Sequence, residues 1–415
     1  MLTTFLSWRV LRWTIPLYLV LLLLLWGVML MQWSGGGATR DSTGTTLGPD
    51  FMAFYTGARF VLSGQNRQLY DLAAQAAFQE RLDGPRVGVS GFVNPPQWAI
   101  MVAPLGWLSY RAAFTIWTIA MLGCFVASVW LMRPFLPALA SRWGTTTALA
   151  LGSAPVYFAA SAGQNTGLSL LLHVAILRAL PRRRDVLAGL LIALGCVKPQ
   201  FFLALLPLLV LARRWRAVGS ALAGLAVVAA LGTLVVGPAS WPAWIKLTMS
   251  TLQVEQQRQI IKLFSWQPFW ALLLGRGVVA TTLGWLCVAF TACILAWLWL
   301  QPMPDEPLRY AVTVLGIMLI SPHMPIYDLG LLVLPVLVLA DRILSPQIQS
   351  SRLIHGTQAL LLALYITVFF YEQVHYTHVQ LVVPLIMATL IAGVLLLRPL
   401  AAPFAITRLF PSHGT

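Results

Sequence analysis

Seven short polar motifs interrupt an otherwise apolar chain of 415 residues: Gly48-Pro49-Asp50, Asn94-Pro95-Pro96, Gly163-Gln164-Asn165, Val197-Lys198-Pro199-Gln200, Ser321-Pro322-His323, Tyr327-Asp328 and Glu372-Gln373-Val374-His375. Their residue types could do chemistry. A carboxylate such as Asp50 can take a proton from a hydroxyl. Lys198 lies between two apolar runs and is followed by a proline that breaks a helix, so its ammonium is placed to meet an anion. Ordinary roles compete with these. Asp50 precedes Phe51-Met52-Ala53-Phe54-Tyr55 and has the setting of a helix N-cap. Lys198 could snorkel to an interface, and His323 could bond a nearby carbonyl. Asn94 precedes proline, where turns form; Gln164 and Asn165 could simply start a helix. The four cysteines (Cys124, Cys196, Cys287, Cys293) sit in apolar stretches without Cys/His metal spacing, so no metal site or cofactor is expected.

The elements that must carry these motifs follow from composition. The chain is 59% hydrophobic and 9% charged, where a soluble protein carries about 25% charged residues. Too few charges remain to cover a soluble globule. The apolar runs are continuous and do not alternate as barrel strands do, so an all-α polytopic membrane protein is expected, with about 11–13 transmembrane helices. The net charge of +15 is not read as nucleic-acid binding, because the basic residues punctuate apolar runs as a topology signal does.

That signal orders the chain. Arg9 and Arg12 place residues 1–12 in the cytoplasm, with 13–33 as a retained first helix. Residues 34–96 form a large outer loop. Within it Asp50 to Ser63 and Asp71 to Leu82 read as short amphipathic helices lying flat on the membrane, the second with Leu72, Ala76, Phe78 and Leu82 as its apolar stripe. Residues 97–237 and 278–397 form the bundle. Residues 238–277 form a second outer loop with a possible re-entrant segment, and 398–415 a cytoplasmic C-terminus. This arrangement puts 16 Lys/Arg and 4 Asp/Glu inside, against 11 and 8 outside, a clear inside bias. It requires 94–110 to be re-entrant or a pair of half-spans. It also brings all the polar motifs to the outer face, where ionisable groups at a membrane boundary tend to mark a site.

In order, the motifs resemble glycosyltransferase family 87. Gly48-Pro49-Asp50-Phe51 leads into Tyr55-Thr56-Gly57-Ala58-Arg59-Phe60 and then Leu69-Tyr70-Asp71. Asn94-Pro95-Pro96, Ala103-Pro104-Leu105, Gly163-Gln164-Asn165-Thr166, Lys198-Pro199, the basic connector Arg213-Arg214-Trp215-Arg216, and Ser321-Pro322-His323 with Tyr327-Asp328 follow. The likeness covers about residues 45–345. It departs where Asn94 replaces an aromatic before the paired prolines, and where Ser265-Trp266-Gln267-Pro268 stands for an Asn-Gln-Ser element.

The resemblance implies a GT-C-like bundle in a bacterial inner membrane with a periplasmic active site. It implies a polyprenyl-phosphate sugar donor and a lipid or glycan acceptor, with Asp50 as the base toward the acceptor hydroxyl. In that scheme Lys198 meets the donor phosphate, while Asn94, Gln164, Asn165, His323, Tyr327 and Asp328 contact substrate. Inversion follows from a single displacement, and no metal is needed. A flippase for lipid-linked sugars and a non-catalytic polyprenyl-lipid-binding partner remain as alternatives, although the chain shows no two-fold repeat of the kind carriers use.

Overall fold

A computed structural model describes residues 8–85, 88–345 and 351–397, with side chains from Pro16 onward. The expected cytoplasmic C-terminus, residues 398–415, lies outside the described residues, as do residues 1–7. Among the described residues the chain is helical throughout, with two isolated bridges and no strand. The first helix, α1 (Trp8–Ser34), is 27 residues long, about 40 Å at 1.5 Å per residue. It is followed by α2 (Phe51–Leu62), α3 (Leu72–Asp83), α4 (Pro96–Val102) and α5 (Tyr110–Met132). Next come α6 (Trp143–Leu151), α7 (Ala154–Ala162), α8 (Thr166–Ala179), α9 (Asp185–Gly195), α10 (Pro199–Phe202), α11 (Leu205–Leu211) and α12 (Trp215–Val236). Then α13 (Ser240–Arg258), α14 (Trp266–Leu274), α15 (Val278–Leu300), α16 (Glu306–Ile320), α17 (Val333–Leu344), α18 (Ser351–Thr367), α19 (Val374–Thr377) and α20 (Val382–Leu397) complete the chain.

Among the described residues, five stretches are long and apolar enough to cross a membrane: Pro16–Ser34, Tyr110–Phe135, Trp215–Val236, Val278–Leu300 and Ser351–Thr377. The protein is an all-α polytopic membrane protein. Other apolar runs are broken. The run 145–161 divides at Gly152-Ser153 before Pro155, and 199–212 divides between α10 and α11. The run 327–341 begins as a 3-10 segment, Ile326–Leu332. Residues 94–110 fold as the seven-residue α4 and a 3-10 turn, Ala103–Trp107. Seven residues rise about 10 Å, far short of a hydrocarbon core of about 30 Å.

Two cores form. The larger lies among the bundle helices. The smaller is largely aromatic and joins the first loop to α4 and α5 through Phe51, Phe54, Trp98, Tyr110, Phe114 and Trp117. Ring centroids within it stand 5.5–5.9 Å apart, as for Phe54 with Trp98 and Phe51 with Trp117. Such tilted and edge-on pairs add to burial.

The first loop differs from expectation. Helix α2 is enclosed by protein; Phe51 to Ala58 and Phe60 are all buried. The physical reason is that its apolar residues run all round the helix, and a helix without a polar face must be enclosed. It ends at Leu62, one residue short of the expected Ser63, with Gly64 (φ 70°) following the cap. Helix α3 turns the expected side inward, with Phe78 and Leu82 packed against the aromatic core, but the residues it buries most fully are polar ones interleaved with that stripe. Gln75, Gln79 and Asp83, four residues apart, point inward, while Leu72 is 39% exposed. Gln75 accepts from the Phe92 N–H at 2.8 Å and donates to the Leu69 carbonyl at 2.8 Å. Gln79 accepts from the Ser90 N–H at 3.0 Å and donates to the Ser90 carbonyl at 2.9 Å and to Thr56 Oγ1 at 3.1 Å. The extended chain leading to Asn94 has no strand partner, so these side chains satisfy its backbone instead.

The arginine-rich connectors gather ion pairs. Arg342 meets Asp305 at 2.5 Å and Asp341 at 2.8 Å, and Arg214 meets Asp185 at 2.7 Å. Between Asp185 and the opposite end, α9 packs closely along α12. A Cβ on Gly189 would lie 2.1 Å from Ser220 Oγ and 2.2 Å from the Ala217 carbonyl oxygen. Small residues permit this approach, as in other membrane helix pairs. Gly189→Leu is therefore expected to cost at least about 1–3 kcal/mol by overpacking. The check is a lowered thermal midpoint of the purified protein; an unchanged midpoint would exclude a tight α9–α12 seam.

Candidate active site

Two glycine turns interlock to place the acid. Gly48 (φ 54°) and Gly163 (φ 74°) are both left-handed. A Cβ on Gly163 would fall 2.6 Å from Phe51 Cβ, and one on Gly48 would fall 2.3 Å from the Phe114 ring. The Asp50 N–H donates to the Ala162 carbonyl at 3.0 Å, and Trp117 Nε1 donates to the Gly163 carbonyl at 2.8 Å. The Gly-Pro-Asp motif is thus locked across the Gly-Gln-Asn motif, 114 residues away in sequence.

Asp50 stands at the N-cap position of α2, yet its side chain makes no capping bond. Its Oδ2 instead accepts from Gln164 Nε2 at 2.9 Å. The carboxylate is therefore oriented without being consumed by its own helix. Burial pushes Asp50 above the ordinary carboxylate range, the Gln164 hydrogen bond opposes this, the Glu255 charge adds to it, Lys198 opposes it and Asp328 adds to it. A base moved toward neutrality is better matched to taking a proton near pH 7.

Behind this group lies a buried ion pair. Lys198 precedes Pro199 at the break between α9 and α10, and its ammonium contacts Asp328 Oδ1. Thr166 Oγ1 donates to the same oxygen at 2.7 Å. The ammonium also lies 5.3 Å from the centre of the Tyr327 ring. The sequence leaves Lys198 free to meet an anion; in the structure Asp328 occupies one of its three donors. Asp328 Oδ2 and both amide atoms of Asn165 are buried without hydrogen-bond partners among the described residues. Asn94 reaches the Val197 carbonyl at a long 3.5 Å, while its own carbonyl accepts from Tyr70 Oη at 2.8 Å.

His323 Nδ1 lies 3.0 Å from Glu255 Oε2 on α13. The geometry at Nδ1 does not make a well-directed hydrogen bond with that oxygen, so this is a close contact between the two side chains. A backbone clamp reinforces it, because the Phe264 N–H donates to the Met324 carbonyl at 2.7 Å and Leu263 bridges Pro325. Glu255 escapes a motif search, and Thr166 appears in one only as the residue after Asn165. The signal for Glu255 is that, on the assigned topology, it is the sole acid of the outer face between residues 84 and 327. The Glu372-Gln373-Val374-His375 motif does not join the cluster. Glu372 pairs with His375 at 3.2 Å in its own turn, and both are exposed.

The charges around Asp50 predict a pH effect. Gln164, Glu255, Lys198 and Asp328 act on it, and Glu255 raises its pKa. Glu255→Gln is expected to move the acidic limb of a kcat/KM profile to lower pH, because Asp50 then ionises earlier. Lys198→Met is expected to move that limb to higher pH. An unshifted limb in both variants would show that another group sets it.

Fold and cluster together define a polytopic membrane protein with an oriented acid and a buried cation–carboxylate pair at the helix ends opposite the arginine-rich connectors. The family model of glycosyltransferase family 87 matches residues 92–322, more than half of the chain. The chain belongs to glycosyltransferase family 87 and is a membrane glycosyltransferase. No curated protein and no solved structure matches it. The matched stretch contains Asn94, Gln164, Asn165, Lys198 and Glu255. Asp50, His323, Tyr327 and Asp328 lie outside it and are tied to it by the contacts above.

Proposed function

We propose that this glycosyltransferase moves a hexose of the mannose type, or a pentose, from a polyprenyl-phosphate donor to a hydroxyl of a lipid or glycan. The reaction takes place at the periplasmic face of a bacterial inner membrane. The observation that carries this reading is the Asp50 carboxylate. It is held by Gln164, uncapped at a helix start, partly exposed and raised in pKa, opposite the buried Lys198–Asp328 pair.

In this reading Asp50 takes the acceptor hydroxyl proton as that oxygen attacks the anomeric carbon. The bond from that carbon to the phosphate oxygen breaks, and its electron pair leaves with the lipid phosphate. Attack opposite the leaving group inverts the centre. Lys198 meets the phosphate with the donors that Asp328 leaves open, stabilising the charge that develops there. Asn94, Gln164, Asn165, His323, Tyr327 and Asp328 position sugar hydroxyls directly or through water. The leaving group is already a phosphate, and the sequence has no DxD-type nucleotide-sugar motif, so the scheme calls on no metal.

The test is transfer of label from a panel of polyprenyl-phosphate sugars in membranes carrying the parent chain or Asp50→Asn. Label entering a lipid or glycan only with the parent supports the reading and identifies the sugar. No transfer from any donor, with folded protein that still binds the lipid, would favour the flippase or the binding partner.

A further inference from the structure

At the end of the bundle opposite the Asp50 cluster, α9 and α12 start side by side. The apolar span Trp215–Val236 begins at Trp215, so the connector before it lies at the membrane boundary. The 2.7 Å contact of Arg214 with Asp185 sets the start of α9 at the same level, and the close approach at Gly189 holds the two helices together. Two basic connectors therefore meet at one place. Arg182, Arg183, Arg184, Arg213 and Arg216 are exposed there, while Arg214 is buried against Asp185. Nothing in the chain neutralises the five exposed charges. The acids of this end are already held: Asp185 by Arg214, Glu306 by Arg309, and Asp305 and Asp341 by Arg342. Residues 1–7, 346–350 and 398–415 contain no Asp or Glu, so they bring no side-chain carboxylate to the patch.

Orientation in the membrane does not account for where these arginines stand. The two connectors make the same turn. Arg183 and Arg213 both have φ 55°, and the next N–H returns to a carbonyl five residues back, Arg184 to Ala179 at 3.1 Å and Arg214 to Leu209 at 2.9 Å. Glycine is the unstrained residue at such a position. A topology signal counts charges near a helix end and is indifferent to one-residue shifts. The chain nevertheless keeps a strained arginine in each turn, and helices packed this closely stand about 8 Å apart. The setting is that of a lipid headgroup. Trp215 is 61% exposed beside the patch, and tryptophan is favoured at headgroup level. Val186, Leu187, Leu190 and Leu194 continue from the arginines along α9 as an exposed apolar face.

We propose that the paired connectors bind an anionic phospholipid with two phosphates, of the cardiolipin type. One phosphate meets Arg183 and its neighbours, and the other meets Arg213 and Arg216. Two phosphates joined through one glycerol can bridge the two helix starts, and arginine is suited to phosphate oxygens. The acyl chains lie along the exposed face of α9. A soluble acidic partner fits less well, because the charges stand at the edge of a lipid-facing surface where headgroups already lie. The inference rests on the membrane fold and not on the proposed reaction.

The test is native mass spectrometry of the full-length protein titrated with tetraoleoyl cardiolipin or, at equal phosphate, with dioleoyl phosphatidylglycerol. The parent is expected to retain cardiolipin more tightly. Arg183→Gly and Arg213→Gly should each weaken that retention about fivefold, the effect of one arginine near an anionic headgroup, and the double variant about 25-fold. Their thermal midpoints in lipid-free detergent should be unchanged or raised, because glycine relieves the left-handed turn. Arg352→Ala, which removes the same charge from an exposed site on another connector, should bind as the parent does. Equal retention by all variants would overturn the proposal. So would an equal loss in Arg352→Ala, which would reduce the effect to net charge, or phosphatidylglycerol retained as tightly as cardiolipin. A photoreactive residue at position 216 that labels protein in place of lipid in membranes would also overturn it.

Discussion

Asn in place of Asp50 is expected to lower sugar transfer by at least about a hundredfold, while leaving the protein as stable as the parent or more so at neutral pH. The two expectations share one cause. Burial raises the Asp50 pKa in the folded protein, so the folded state binds more protons than the unfolded state over the interval between the two values. Stability then falls as pH rises from the ordinary carboxylate range through the raised pKa. Above that range the parent carries a charge that the surrounding protein desolvates at a cost, and Asn removes it. Asn also keeps a carbonyl oxygen that can accept from Gln164, so the local geometry is preserved. Activity falls because the amide cannot take a proton. The measurements are label transfer in membranes and thermal midpoints at pH 5 and pH 8. The stability gain of the variant should be larger at pH 8. Transfer within a few-fold of the parent would remove Asp50 as the base. A clear loss of midpoint at both pH values would return it to a structural role at the start of α2.

Much of this site is legible in the sequence for a simple reason. In a chain that is mostly lipid-facing helix, polar residues beside proline or glycine stand out, because each break leaves backbone groups that lipid cannot satisfy. Asp50, Gln164, Asn165 and Lys198 all sit at such breaks, and the structure joins Asp50 to Gln164 across two glycine turns. What escapes the sequence depends on distant partners. Lys198 and Asp328 are 130 residues apart, and neither announces the other. Hydropathy assigns α3 its apolar stripe, but gives no hint that Gln75 and Gln79 within it turn inward to bond the backbone of Leu69, Ser90 and Phe92. Those bonds arise only once the chain is folded. Glu255 reads as one polar residue in a polar loop until α13 brings it to His323.

The Lys198–Asp328 pair separates stability from function when both members are changed. Both side chains are buried, at 8% and 1% exposure. Lys198→Met strands the Asp328 carboxylate with Thr166 as its remaining donor, and Asp328→Asn strands the ammonium. Either change is expected to cost about 3–5 kcal/mol, the usual penalty for leaving one buried charge alone. The double variant Lys198→Met/Asp328→Asn removes both charges, and its Asn can still accept from Thr166. Most of the lost stability should return, because a buried ion pair replaced as a unit is often close to neutral. Transfer should not return with it. If the ammonium stabilises the phosphate leaving group, the double variant stays about a hundredfold or more below the parent, as when one donor is removed from a developing anion. Thermal midpoints and transfer rates on the same four proteins decide the matter. Recovery of both would make Lys198 only the counter-ion of Asp328. Recovery of the fold without transfer would leave its charge acting on the substrate.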